Sequence, residues 1–309
     1  MLLAFKHSAL YRRTTSRRQV LRATLPMWAL SVALGITGCS GLKVVNWVTP
    51  NAPRAATAVK FAAPDLRLDV YTPDHSQVQH EEPRPVVIFL YGGGWQDGTR
   101  SRYKFVASGL TDRGFVVMIP DMRKYPSVSF PAFVEDAAAA VGWAFDNIER
   151  FGGDPERVFV LGHSSGAHVA ALLNYDERYL AAHYPRQLCG MVGLAGPYDF
   201  LPLVSPTFKQ VFPAELRADS QPVNFVDGTE APALLIHGLR DQTVKPRNSA
   251  ALNEKIAQAG GESRFILYDD TKHAALVLGL SSSFDFLVPV LADLSQFIDS
   301  RSCRPSNQG

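Results

Sequence analysis

The stretch VFVLGHSSGAHVAALL, residues 158–173, places a strand pattern, a five-residue turn and a helix pattern in immediate succession. The turn GHSSG fits the pattern Gly-x-Ser-x-Gly only when it is centred on Ser164. Centring it on Ser165 would require glycines at two positions that hold histidine and alanine. A strand that turns this sharply into a helix needs flanking residues almost without side chains, and it exposes the serine at the apex. The stretch therefore predicts a strand, a strained turn and a helix, with the Ser164 hydroxyl pointing outward.

Similar apolar runs alternate with helix patterns along most of the chain. Continuous apolar runs, rather than alternating ones, are typical of parallel strands covered on both faces. The predicted fold class is therefore α/β, a mostly parallel sheet with helices on both faces. The strand candidates are residues 66–72, 86–91, 115–120, 158–162, 190–196, 233–238 and 264–269, and the helix candidates are residues 101–113, 131–150, 164–174, 246–259 and 285–299.

One long segment, residues 197–232, has no clean period and is rich in proline and aromatic residues. It is predicted to be an irregular excursion over the ends of the strands, forming a short cap. A lid or pocket wall and a packed surface loop are both consistent with this composition.

The first 38 residues differ in charge from the rest of the chain. All their charged side chains are basic, and the first acidic residue is Asp65. The uncharged run 23–38 follows the basic start and is too short to span a bilayer comfortably, so the pattern predicts an export signal. Without this leader the net charge of the chain turns negative, which argues against a nucleic-acid surface.

Two short motifs refine this prediction. SRRQVLR, residues 16–22, resembles the twin-arginine export motif, and ITGC, residues 36–39, resembles a lipobox. Together they predict a signal peptide over 1–38, lipidation of Cys39, and a membrane-anchored protein facing the periplasm; Ser40 suits sorting to an outer membrane. An ordinary cleaved signal peptide and a disordered basic tail are the alternatives.

The remaining sequence is divided by composition. Residues 39–64 are predicted to be a tether, residues 65–299 a single folded domain and residues 300–309 a polar tail. After Cys39 only Cys189 and Cys303 remain, one in an apolar run and one in the tail. Cys189 is expected to be a buried thiol, with no disulfide framework, metal site or organic cofactor.

A serine hydroxyl needs a general base, and the base needs an orienting carboxylate. Asp241 follows the strand 233–238, and His273 follows the last strand, so the order Ser164, Asp241, His273 predicts a catalytic triad. Asp199 is a rival acid, whereas Asp269 and Asp270 are too near the histidine. The histidines at 163 and 168 are too near the serine in sequence to act as its base, and His237 belongs to a strand end.

The run YGGGW, residues 91–95, offers bare backbone directly after a strand. The amides of Gly93, Gly94 and Ser165 are predicted to form an oxyanion hole. Trp95 and Tyr198 are predicted to bind substrate, with Tyr103 and Phe208 as further pocket candidates, although each could equally be ordinary packing.

These motifs together resemble the α/β-hydrolase superfamily, and within it the bacterial hormone-sensitive-lipase-like and feruloyl-esterase-like esterases. The resemblance covers residues 65–299 and includes YGGGWQDG, DMRKYP, FGGDPERV and HGLRDQTV. Tyr91 stands where those groups usually have histidine. The resemblance implies acyl transfer to water, and similar sequences include carboxylesterases, polysaccharide deacylases and arylformamidases.

The expected function is therefore a serine hydrolase that cleaves small carboxylic esters, of small or aromatic acyl groups, through an acyl-enzyme, with the membrane as its other partner. A serine peptidase or amidase on the same triad, and a non-catalytic binding protein with this fold, are the alternatives. The sequence makes no prediction of oligomeric state.

Overall fold

The apolar runs of the sequence become the strands of one sheet in the computed structural model, which describes residues 9–13, 39–50, 52–74, 82–184 and 186–303. The strands are β1 (Ala9–Arg13), β2 (Arg54–Ala62), β3 (Leu66–Tyr71), β4 (Arg84–Leu90), β5 (Val116–Pro120), β6 (Gly153–His163), β7 (Gly190–Leu194), β8 (Ala233–Gly238) and β9 (Ser263–Tyr268). Their order across the sheet is β1-β9-β8-β7-β6-β4-β5-β3-β2. Among the strands of the described residues, the pairs β2 with β3 and β3 with β5 are antiparallel and the other pairs are parallel.

The helices connect these strands as expected for a parallel sheet. They are α1 (Cys39–Val48), α2 (Lys104–Thr111), α3 (Ala132–Asn147), α4 (Ser165–Tyr175), α5 (Pro206–Val211), α6 (Arg247–Ala259), α7 (His273–Leu278) and α8 (Val290–Asp299). Every residue of β5, β7 and β8 is buried, so both faces of the sheet are covered. The predicted α/β class, a mostly parallel sheet with helices on both faces, is confirmed. None of the described helices is long and apolar enough to cross a membrane.

The carboxyl ends of the parallel strands all lie at one edge of the sheet. The residues predicted to carry chemistry follow β4, β6, β8 and β9 there, so segments far apart in sequence meet at this edge. The register of the parallel strands aligns these strand ends: Gly162 of β6 lies between Leu90 of β4 and Gly193 of β7.

The predicted tether at residues 39–64 is wrong, because most of it is folded. Residues Cys39–Val48 form α1, and Arg54–Ala62 form β2, which pairs with β3 as an antiparallel edge strand. The small and polar residues that indicated a linker are tolerated because β2 is only half buried. The folded domain therefore begins well before residue 65.

The prediction that Cys189 is a free buried thiol is also wrong. Cys189, next to the start of β7, forms a disulfide with Cys303, and their Cα atoms are 5.3 Å apart. The two residues are 114 positions apart, and only the fold brings the chain end back to the base of the sheet. The predicted polar tail is thus attached to the domain as far as Cys303.

Only a small part of the predicted export signal lies within the described residues. Ala9–Arg13 form β1, which pairs in parallel with β9 at the edge of the sheet. The twin-arginine motif, the uncharged run and most of the lipobox lie outside the described residues. The export signal stays a prediction.

The excursion at residues 197–232 is irregular, as predicted. It contains one short helix, α5, and two 3₁₀ turns, Ala214–Leu216 and Pro222–Asn224. Several of its aromatic side chains pack toward the loop after β4, so this cap forms part of the structure around the candidate site.

Candidate active site

Ser164 lies at a sharp turn between β6 and α4. Its backbone has φ +56° and ψ −124°, a conformation that residues with side chains rarely adopt. A Cβ atom at Gly162 would lie 2.3 Å from the carbonyl oxygen of Gly166, and one at Gly166 would lie 2.0 Å from that of Leu90. Both glycines are therefore required by the close packing of the turn, as the sequence pattern predicts.

Asp241 and His273 meet at the same edge of the sheet. The Nδ1 atom of His273 lies 2.6 Å from Oδ2 of Asp241, and the carboxylate is fully buried while the imidazole is partly exposed. The other carboxylate oxygen accepts hydrogen bonds from the amides of Thr243 and Val244. This arrangement fixes the ring orientation of His273 and leaves Nε2 as the nitrogen for proton transfer. The rival acid Asp199 is exposed, and its amide donates to Asn248.

Two further histidines contact this pair, and the sequence did not assign them a role. The ring of His163, next to Ser164, lies 4.7 Å from that of His273, and its Nε2 lies 3.3 Å from the carbonyl oxygen of His273. His237, at the end of β8, places Nε2 3.3 Å from Oδ2 of Asp241. Their positions at strand ends were the available signal, but their role depends on which strands are neighbours.

Burial and hydrogen bonds set the pKa values of Asp241 and His163, and thereby their charges at neutral pH. Burial disfavours the charged form of Asp241, but hydrogen bonds from His237 and His273 outweigh it and hold its pKa below the ordinary value. Burial, and then the nearby His273, lower the pKa of His163 to about 3. At neutral pH the carboxylate of Asp241 is therefore charged, and the imidazole of His163, which packs against His273, is neutral.

The glycine loop after β4 lies against the serine turn. The Cα atom of Gly92 packs so closely that a Cβ atom there would lie 3.0 Å from Cβ of Ser164. The carbonyl of Gly92 accepts a hydrogen bond from the Tyr103 hydroxyl, and that of Gly93 accepts from the amides of Gln96 and Asp97. Because C=O and the following N–H point in opposite directions across a trans peptide, the amides of Gly93 and Gly94 point away from these partners.

Tyr91 braces the same loop from its other side. Its ring is stacked on Tyr103, with centroids 5.4 Å apart, and a Cβ atom at Gly98 would lie 2.5 Å from it. Its hydroxyl donates to Asp121 at 3.0 Å. Burial, and then the charge of Asp121, raise the pKa of Tyr91 well above its usual value, so the hydroxyl stays a neutral donor. Tyr91 therefore anchors the loop to the end of β5.

The Trp95 side chain connects the glycine loop to the cap. Its indole Nε1 donates to Nδ1 of His168 at 3.2 Å, and Nε2 of His168 lies 2.7 Å from the carbonyl oxygen of Ser220 in the cap. Because Nδ1 accepts, Nε2 carries the proton of the neutral ring. Phe200, Phe208 and Phe212 also surround the indole. Loop, helix α4 and cap thus form one packed unit.

This packing bears on the predicted pocket residues. The prediction that Tyr198 binds substrate is wrong, because the side chain is fully buried with its hydroxyl against Gly193 and Gly196. Trp95 is 8% exposed and Tyr103 is 7% exposed, so both act mainly in packing the loop. Phe208 is partly exposed and would lie 3.9 Å from a Cβ atom at Gly94, which keeps it a candidate for substrate contact.

The burial of His163 and His168 predicts how the free energy of unfolding depends on pH. Burial holds the pKa of His163 at about 3 and that of His168 at about 4 in the fold. In the unfolded chain both take up protons below about pH 6.5, so acidification favours unfolding by about 1.4 kcal/mol per histidine per pH unit. Urea unfolding should show about 4 kcal/mol less stability from this pair at pH 5 than at pH 7.

The variant His168→Gln separates the contribution of His168 to the pH dependence of stability from that of other titrating groups. His168→Gln retains an acceptor for Trp95 but removes one titrating group, so its loss of stability between pH 7 and pH 5 should be about 2 kcal/mol smaller than that of the wild type. Asp241 does not contribute in this range, because its lowered pKa makes its stabilising effect persist until the pH falls below about 4. Equal pH dependence of wild type and variant would contradict the assignment.

The BD-FAE family model matches residues 68–256 of this chain. Among curated proteins, a probable isoprenylcysteine alpha-carbonyl methylesterase of Arabidopsis thaliana is 27% identical over 260 residues, which are 74% of this chain and 54% of that protein. Esterase LipC of Mycobacterium tuberculosis is 29% identical over 196 residues, or 57% of this chain and 49% of that protein. The chain thus spans about half the length of these relatives.

Solved structures show the same fold. A truncated carbohydrate esterase from gut microbiota superposes with a TM-score of 0.67 at 22% identity, covering 80% of this chain and 98% of the other. Apo esterase 2 of Thermogutta terrifontis gives a TM-score of 0.66 at 21% identity, covering 81% of this chain and 95% of the other. The same enzyme has been solved with butyrate and with propionate bound.

Proposed function

This chain belongs to the BD-FAE family, and from that membership we propose that it is a serine esterase that cleaves carboxylic esters of short acyl chains. One observation carries the proposal. A buried carboxylate, Asp241, holds Nδ1 of His273 at 2.6 Å, and the His273 ring lies 4.7 Å from that of His163, the residue directly before Ser164 at the strained turn. A serine hydroxyl next to an oriented imidazole is the arrangement that acyl transfer requires.

The proposed reaction has two halves. Ser164 Oγ attacks the ester carbonyl while Nε2 of His273 takes its proton, and the amides of Gly93, Gly94 and Ser165 stabilise the oxyanion. Collapse of this intermediate breaks the bond to the alcohol, which leaves with the proton from His273. Water, deprotonated by His273, then attacks the acyl-enzyme; the acid is released as His273 returns the proton to Ser164 Oγ. Asp241 orients His273 and stabilises its charged form throughout.

The short-chain preference is supported by the packing around the site. Aromatic rings from the cap fill the space beside Trp95, and Tyr198 is buried. The butyrate and propionate complexes of the Thermogutta enzyme are consistent with short acyl groups on this fold. Initial rates on p-nitrophenyl acetate, butyrate, octanoate and palmitate should fall steeply beyond butyrate. A matched p-nitroanilide should be hydrolysed far more slowly; faster anilide hydrolysis would identify an amidase and overturn the esterase proposal.

The hydroxyl of Tyr103 should position the oxyanion hole. It holds the carbonyl of Gly92 and thereby turns the Gly93 amide, so Tyr103→Phe should lower kcat by about tenfold with little change in KM. Tyr184→Phe removes a hydroxyl that packs against Gly142 on α3, and it should leave both constants unchanged. Steady-state kinetics on p-nitrophenyl acetate measures both variants; a rise in KM alone for Tyr103→Phe would contradict the positioning role.

We further propose that the protein is exported and held at a membrane by lipidated Cys39, facing the periplasm. The leader motifs support this, and so does the Cys189–Cys303 disulfide, since such bonds persist in oxidising compartments. Removal of residues 1–38 would also remove β1, an edge strand whose loss leaves the order of the other eight unchanged. Cys39→Ala should abolish incorporation of labelled palmitate in cells, and the wild-type mass should show a diacylated chain beginning at Cys39. Continued labelling of the variant would contradict the anchor.

A further inference from the structure

Helix α1 is fastened to the domain through one face. Val45 and Thr49 on that face are nearly fully buried, and the Asn46 side chain donates to the carbonyl of Arg102 and accepts from the amide of Phe105. At its end, the Thr49 hydroxyl lies 2.9 Å from that of Ser281. These contacts on two separate segments fix the orientation of the helix on the domain.

The opposite face of α1 is apolar and exposed. Trp47 is 82% exposed, Val44 40% and Val48 43%. Their spacing of three and four residues places them in one stripe on the helix surface. A fixed helix that presents tryptophan and two valines to water is unusual in a soluble domain, and such stripes mark surfaces that are covered in the working protein.

We propose that this outward face of α1, formed by Val44, Trp47 and Val48, docks onto the phospholipid bilayer as a second membrane contact. The inference rests on the proposed lipid anchor, because α1 begins at Cys39, the residue that would carry the acyl chains. Trp47 is eight residues further on, about 12 Å along the helix axis. A helix that starts at the membrane surface and lies flat on it therefore brings Trp47 into the interfacial layer that tryptophan favours.

The positive charge of the segment that contains α1 favours a lipid surface as the occupant. Residues 39–64 contain three basic residues, Lys43, Arg54 and Lys60, and no acidic residue. Arg54 and Lys60 on β2 are exposed. Bacterial bilayers carry anionic headgroups, which such a segment attracts and does not repel.

Docking through this face would also orient the candidate active site. The segment that α1 contacts, Arg100–Tyr103 with the start of α2, includes the tyrosine whose hydroxyl holds the glycine loop. The bilayer would therefore lie on the outer side of α1, with the helix between it and the segment that carries Tyr103.

The test uses the processed protein reconstituted into vesicles of phosphatidylethanolamine and phosphatidylglycerol at 3:1. Brominated acyl chains quench tryptophan only at short range, so they should quench Trp47 emission at least about twofold, with the Trp47 signal taken as the difference from Trp47→Phe. Val44→Ser with Val48→Ser should reduce that quenching by about half. Val204→Ser, which changes a valine in the cap that is even more exposed than Val44 and Val48, is the control and should leave quenching unchanged.

Vesicle flotation and activity distinguish the possible failures. Flotation with strong quenching supports docking, whether or not Cys39 is acylated. A chain without acyl groups would float only through α1, so the double valine variant of that chain should no longer float. Flotation without quenching overturns docking and leaves the lipid anchor intact, and absence of both overturns docking as well. Hydrolysis of p-nitrophenyl acetate by the same samples reports on the esterase proposal independently of either result.

Discussion

Ser164→Ala should lower kcat by about 10⁴-fold or more, whereas Ser165→Ala should stay within about threefold of the wild type. The two serines are adjacent, but only Ser164 occupies the strained turn with φ +56°. Ser165 begins α4, and its proposed contribution is the backbone amide, which alanine retains. Rates on p-nitrophenyl acetate, together with labelling by a fluorophosphonate probe, measure the difference.

The labelling experiment also controls for misfolding. The probe reacts with an activated serine, with loss of fluoride, so wild type and Ser165→Ala should be labelled and Ser164→Ala should not. Circular dichroism should show the same folded content in all three proteins, since both substitutions shorten a side chain without altering the flanking glycines. Labelling of Ser164→Ala at the wild-type level would exclude Ser164 as the nucleophile.

Asp241→Asn should lower kcat by about 10³-fold to 10⁴-fold, with a small change in KM. The carboxylate holds Nδ1 of His273 at 2.6 Å and accepts two backbone amides, so an amide in its place cannot keep the same ring orientation and charge. Loss of the negative charge also removes the stabilisation of protonated His273 during the reaction. Steady-state kinetics across pH 6–9 measures the effect.

The matched control is Asp199→Asn, which changes the rival carboxylate that follows β7. Asp199 is exposed and its amide, not its carboxylate, is bonded to Asn248, so this variant should keep wild-type kinetics. Because removal of Asp241 also disturbs a buried network with His237, urea unfolding of both variants separates lost activity from lost stability. Equal activity of the two variants would remove Asp241 from the proposed mechanism.

Some predictions from the sequence were wrong for residues that are half buried or that contact residues far away in the sequence. Residues 39–64 have the composition of a linker, yet they form α1 and β2, because an edge strand and a surface helix need only one apolar face. The Cys189–Cys303 disulfide was not predicted, since the pairing of two cysteines depends on the path of the chain between them. Tyr198 was predicted to bind substrate, but its ring turns inward against glycines.

The sequence by itself determined the fold class and the local geometry at Ser164, because buried strand runs and a Gly-x-Ser-x-Gly turn are constraints between neighbouring residues. It also placed Asp241 and His273 after strands whose carboxyl ends share one edge of a parallel sheet. Only the tertiary structure decided which carboxylate reaches His273, that His163 and His237 pack around the pair, and that His168 links Trp95 to the cap. Those contacts depend on strand order and on side-chain directions across segments far apart in the chain, and neither is encoded in a local pattern.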